Sequence, residues 1–262
     1  LFDFLKTALL PVEQMIAAFF SSITQTGLSL TLRAEASYSK ANGKKKPSNN
    51  SFAMAVVLLS LLFVGTVSAQ TNNFTGASGG TWNTAANWSL SLVPTSAHDV
   101  TIPDGINVTV DVNAVCNTFT MTGGTVSNAV TLGTNSLSVT GAVTIGAITS
   151  GTAIQKNINV GAGSLTCASI ALGTTHAGSS DNEIRISTGT VTVSGNIAMN
   201  GVAARNAIRF SDAGMLKVGG NFTGTGTIVA ATGTVEYNGG VQTIATYAYN
   251  NLLYYYKFIT NE

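Results

Sequence analysis

Charge is what this sequence has least of. Lys, Arg, Asp and Glu together make up 9% of the 262 residues, against about 25% in an ordinary soluble domain. Hydrophobic content stays at 45%, so the shortfall excludes the disordered class, which pairs low hydrophobicity with high net charge. A formal net charge of +1 removes the electrostatic case for a nucleic-acid partner. Histidine is limited to His98 and His176, each among small polar residues. No His/Asp/Ser or metal-ligand spacing connects them, so neither a catalytic triad nor a metal or cofactor site is expected. Cysteine is limited to Cys116 and Cys167. Helix-period segments are missing after residue 70.

Gly, Thr, Ser and Asn take the place of the missing charge. From Val100 onward, short β-branched runs alternate with glycine: Val100-Thr101-Ile102, Val108-Thr109-Val110, Val143-Thr144-Ile145, Ile184-Arg185-Ile186, Val191-Thr192-Val193 and Thr227-Ile228-Val229. Each alternates with period two, the pattern of a half-buried strand. Aligning Ser136-Leu137-Ser138-Val139, Ser164-Leu165-Thr166-Cys167, Thr190-Val191-Thr192-Val193 and Met215-Leu216-Lys217-Val218 places Leu137, Leu165, Val191 and Leu216 in one column with spacings of 28, 26 and 25. A period in the twenties marks a solenoid, in which equivalent strands stack to complete each other's hydrogen bonds and core. The fold expected is all-β, a right-handed parallel β-helix or solenoid over 100–253 with an N-terminal Trp-containing cap over 70–99. About six coils at the usual strand spacing give a rod of about 30 Å. Like charges would stack on like, which accounts for their scarcity. An antiparallel β-sandwich is the alternative fold, and Asn200-Gly201 and Asn238-Gly239 are hairpin signals in its favour.

The first 69 residues differ in composition, holding six of the twelve bases and three of the eleven acids; six bases and eight acids remain beyond them. Lys44-Lys45-Lys46, the apolar run Phe52 to Val67 and the small residues of Val67-Ser68-Ala69 make a secretory signal peptide over 44–69, cleaved between Ala69 and Gln70. The run is too short and too interrupted for a transmembrane helix. No Cys follows the junction, which argues against a lipid anchor. Residues 1–43 hold apolar residues at helical spacing, broken by Pro11, and read as a leader or upstream sequence missing from the mature protein. Secretion or display at the cell surface is therefore the expected localisation, with the membrane met only through the cleaved signal.

Gly80-Thr81-Trp82-Asn83-Thr84-Ala85-Ala86-Asn87-Trp88-Ser89, then Pro94 to Asp99-Val100-Thr101-Ile102-Pro103, resembles the opening of secreted adhesin-like β-solenoid proteins of the Bacteroidota, cargo of type IX secretion. Thr234 to Ile244 and Tyr249-Asn250-Asn251-Leu252 resemble a repeat of the same proteins. The resemblance covers about 72–253. It implies a large cell-surface or released protein, and the departure from the repeat over 254–262 reads as a truncated or frame-shifted end.

Candidate residues for chemistry are few. Trp82 and Trp88 are candidate sugar-stacking rings, or the cap of the first coil. Asp99, Asp104 and Asp111 lie close in sequence, as acidic clusters in polysaccharide-cleaving solenoids do, but Asp104-Gly105 is a turn signal and Asp99 suits a local backbone bond. Arg185, Arg205 and Arg209 with Asp181 and Glu183 are the remaining charged set. Cys116 and Cys167, about two coils apart, are beyond disulfide reach and are expected as free thiols. Beyond residue 69 the four Asn-x-Ser/Thr matches, at Asn73, Asn87, Asn107 and Asn221, are expected by chance in so Asn- and Thr-rich a chain. The function expected is an exported structural or adhesive solenoid, a surface-attachment or spacer module meeting surface glycans or other cell-surface proteins, and not an enzyme. The alternatives are a polysaccharide-binding or polysaccharide-cleaving solenoid, or an accessory domain of a larger secreted enzyme.

Overall fold

The computed structural model describes residues 69–254 apart from 177–178 and 202–204. The expected leader, the signal segment up to Ser68 and the end beyond Tyr254 lie outside the described residues. What is described is all-β, a parallel solenoid of about six turns with three seven-stranded walls. The first wall is Gln70–Asn73, His98–Ile102, Thr118–Met121, Ala142–Ile145, Ser169–Leu172, Ile197–Met199 and Phe222–Gly224. The second is Gly80–Thr81, Val108–Thr109, Asn128–Thr131, Gln155–Gly161, Asp181–Ile186, Asn206–Phe210 and Thr227–Val229. The third is Ala114–Cys116, Ser136–Val139, Ser164–Cys167, Thr190–Val193, Met215–Val218, Thr234–Tyr237 and Asn251–Tyr254.

The alternation read from the sequence is the alternation of burial. Leu137, Leu165, Val191 and Leu216 are fully buried and stand in register on successive rungs of the third wall, so the sequence period is the physical stacking period. Val100, Phe119, Val143, Ile170 and Ile197 form the matching column of the first wall, and Val108, Val130, Ile158, Ile184, Ile208 and Ile228 that of the second. These columns merge into one apolar interior. Burying each such side chain contributes about 1.5–3 kcal/mol, and only stacking supplies the neighbours that bury it.

The strand pairs are parallel throughout the described residues, the one antiparallel contact being an isolated bridge from Phe74 to Trp88. The hairpin signals therefore mislead. Asn200-Gly201 turns the corner between Ile197–Met199 and Asn206–Phe210, and Asn238-Gly239 leaves Thr234–Tyr237. Glycine does two jobs. Gly133 and Gly161 turn with φ of 62° and 63°, the left-handed region that glycine enters without steric cost. At the entry to the third wall the reason is proximity instead. A Cβ on Gly163 would lie 2.0 Å from Asn135 O, and one on Gly189 2.2 Å from Gly163 O.

The expected division at residue 100 is blurred. Gln70–Asn73 already pairs with His98–Ile102, so the first rung and the cap share residues. Trp82 and Trp88 close that end: their rings meet edge to face at 4.8 Å, Phe74 packs on Trp88 at 5.1 Å, and Phe119 stacks below Trp82. At the other end, Phe222, Tyr237, Tyr247 and Tyr249 form a second aromatic group. Gln242 Nε2 donates there to the carbonyls of Val218 and Gly220, holding the crossing segment to the coil beneath it.

Candidate functional site

Two polar constellations interrupt this regularity, both on the second wall. The first is internal. Asn128, Lys156, Asn182 and Asn206 occupy one register column and all are buried. The alternation that points Ile158 and Val160 inward points Lys156 inward too, and its side chain has no exposure. Its Nζ donates to Asp104 Oδ1, to Val126 O at 3.1 Å and to Asn128 Oδ1 at 3.2 Å. Asp104 Oδ2 in turn accepts the backbone N–H groups of Thr125 and Val126. Burial alone would raise the Asp104 carboxyl, but the Lys156 hydrogen bond and the two backbone donors together hold it below its ordinary value. Three acceptors for three ammonium protons is what a buried cation requires, so this pair is a structural tie across two coils.

The second constellation faces outward. Arg185 and Arg209 lie opposite each other in register on adjacent strands, and Glu183 sits between their heads with its side chain 2% exposed. Arg185 Nε donates to Glu183 Oε2 at 2.5 Å, while Arg209 Nε and Nη2 reach Oε1 at 2.8 and 2.6 Å. Burial pushes the Glu183 carboxyl up; hydrogen bonds from Arg209 and then Arg185 outweigh it, and the net direction is down. Arg209 is pushed up in turn by its bond to Glu183. Arg205 pairs with Asp181 at 3.4 Å, and Arg185 Nη2 also donates to Gln155 Oε1. The five charged residues singled out in the sequence thus gather on one outer face. The two other walls carry mainly Ser, Thr and Ala outward, including the column Thr101, Thr120, Thr144 and the column Ser138, Thr166, Thr192.

The other candidates are placed as follows. Sugar stacking on Trp82 and Trp88 is corrected: both are buried, at 0% and 2% exposure, because they seal the open end of the apolar interior, and Trp88 Nε1 donates to Trp82 O. Asp99, Asp104 and Asp111 do not converge. Asp99 accepts from Asn117 Nδ2 and Thr118 Oγ1 of the next coil, rather than from the local backbone as expected, and Asp111 accepts from Asn83 N. His98 Nδ1 accepts the Thr95 N–H. His176 lies on the corner after Ser169–Leu172. No group of three His, Cys, Asp or Glu able to hold a metal occurs among the described residues. Cys116 and Cys167 are buried free thiols in one column with Val139 between them. Two strand spacings, about 9.6 Å, keep them apart, and burial pushes each up to about 12.

Comparison with known protein families, curated proteins and solved structures finds no match for this chain.

Proposed function

We propose that this chain is an exported structural and adhesive β-solenoid, secreted or held at the cell surface, that serves as an attachment or spacer module and has no catalysis of its own. One observation carries the reading. The acids Asp99, Asp104, Asp181, Glu183 and Glu236 each join one coil to another, while the outer faces of two walls repeat Ser, Thr and Ala rung after rung. Asp99, Asp104 and Asp111 each bind a residue at least eighteen positions away, so the acids a hydrolase would need are committed to the fold. Export is supported by Lys44-Lys45-Lys46, the apolar run Phe52 to Val67 and the small residues that precede Gln70. The resemblance to secreted Bacteroidota adhesins points the same way.

Beads coated with the full chain are expected to stay on immobilised cell-surface glycans or proteins under flow, and to keep doing so after trypsin treatment. Retention no better than that of albumin-coated beads, or release of reducing ends from any offered polysaccharide, overturns the reading. N-terminal sequencing of the exported protein is expected to begin at Gln70.

A further inference from the structure

We propose that the outer face of the second wall around Arg185 and Arg209 binds an anionic polysaccharide, a sugar polymer carrying carboxylate or sulfate groups. The inference rests on the adhesive reading above and names the ligand class that reading leaves open.

The starting point is an arrangement that the fold alone does not favour. Strands in a wall lie about 4.8 Å apart, and like charges directly opposite are destabilising. Among the described strand pairs, Arg185 opposite Arg209 is the one case of like charges in register. The one other charged pair in register among the described strands, Lys217 opposite Glu236 at 3.4 Å, is of opposite sign. Thr or Asn at the same rungs would keep the column without repulsion, as Thr131 and Asn159 do at the preceding rungs.

Glu183 offsets only one of the two charges and fixes both heads. The bonds to Glu183 and Gln155 use Nε and Nη2 of Arg185 and of Arg209. Nη1 of each has no hydrogen-bond partner among the described residues, and the side chains are 35% and 41% exposed. Two anchored guanidinium groups, side by side with a net charge of +1 and unused donors, suit a carboxylate or sulfate ester, which takes paired N–H donors from arginine.

The surroundings select the polymer. Beyond residue 69 acids outnumber bases by eight to six, so counterion release is small for any polyanion and bulk charge does not choose between them. The part-exposed positions of the second-wall strands next to the arginines are Asn159, Thr227 and Val229, with no ring on which a base could stack. The column instead runs from the arginines to Asn159 and Thr131, whose exposed amide and hydroxyl bond each other at 3.4 Å and can exchange that bond for sugar hydroxyls.

The test uses the full chain against immobilised polygalacturonate, dextran sulfate, neutral dextran and single-stranded DNA, read by biolayer interferometry at rising salt. Binding to polygalacturonate, to dextran sulfate or to both is expected, weakening with salt, with dextran and DNA at least about tenfold weaker. The two anionic arms separate carboxylate from sulfate recognition. The variant E183Q/R185Q/R209Q removes the charges together, so that no unpaired Glu183 is left buried, and is expected to bind about tenfold less or weaker still. Methyl-esterified polygalacturonate, the ligand-side control, is expected to lose binding whether or not the variant folds. Equal binding of dextran or of the ester, DNA bound as tightly as the acidic polymers, an undiminished folded triple variant, or no binding to either acidic polymer overturns the proposal. In each of those cases bead retention on other surfaces still tests the adhesive reading separately.

Discussion

Replacing Asp104 by Asn is expected to cost far more stability than replacing its partner Lys156 by Met. The two side chains make one ion pair, but their surroundings differ: the lysine side chain is 0% exposed and the aspartate 27%. In D104N the ammonium keeps Val126 O and Asn128 Oδ1 but loses the only charge that balances it, in a place water does not reach. Removing one partner of a buried pair costs about 3–5 kcal/mol. In K156M the unbranched chain refills the volume of the lysine stem, and Asp104 keeps the Thr125 and Val126 N–H groups and turns to solvent; Val126 O and Asn128 Oδ1 lose a donor, and about 1–2 kcal/mol is expected. The double variant should therefore recover about 2 kcal/mol or more relative to D104N alone. Urea unfolding at pH 7, followed by the fluorescence of the buried Trp82 and Trp88, measures all three. The pH dependence has a definite sign. Asp104 is held below its ordinary value in the folded state, so its contribution is complete above the unfolded-state value of about 4 and fades as the pH falls through the lower folded value. Wild type and D104N should converge in acid. Equal losses in D104N and K156M, or a D104N loss under about 1 kcal/mol, would refute the reasoning.

Other expectations follow from single contacts. Native protein should leave both thiols unmodified by Ellman's reagent at neutral pH, because Cys116 and Cys167 are buried and pushed up to about 12; rapid native labelling of either would contradict their inward stacking. Gly163→Ala should destabilise by about 1–3 kcal/mol, since the new methyl meets Asn135 O. Gly240→Ala, with nothing within 4 Å, should instead stay within about 0.5 kcal/mol in thermal melts. Glu183→Gln should cost about 1–2 kcal/mol, reduced by the part-exposure of both arginines and by added salt. Its carboxyl is also held low, so that loss too should vanish in acid; a penalty persisting at low pH and high salt would show that packing, not charge, is responsible.

The third wall was legible in the sequence because its corners are alike. Gly163, Gly189, Gly214 and Gly233 each precede a strand of that wall, and the even spacing of Leu165, Val191 and Leu216 follows from those tight entries. The first wall was not legible by period. Val100 to Phe119 spans 19 residues while Val143 to Ile170 spans 27, because corners elsewhere in the coil absorb insertions without disturbing the rungs. The charged face was half legible. Asp181, Glu183, Arg185, Arg205 and Arg209 stood out against a nearly uncharged background, but their pairing needs the register of three coils. The tie from Asp104 to Lys156 spans 52 residues and left only one local trace, a lysine at an inward position of an alternating run. Trp82 and Trp88 offered no decision between a sugar platform and a lid, since six residues of loop fit either.

The hydrogen bonds joining one coil to the next run along the column, and the described chain enters at Gln70 at one end and reaches Tyr254 at the other. A pull on the two ends therefore never loads a whole wall at once. It peels away the outermost turn, then the next, each release lengthening the tether by some two dozen residues while the turns beneath keep their packing. Such a body yields under tension by letting out slack in steps, the behaviour that the proposed attachment role would call for.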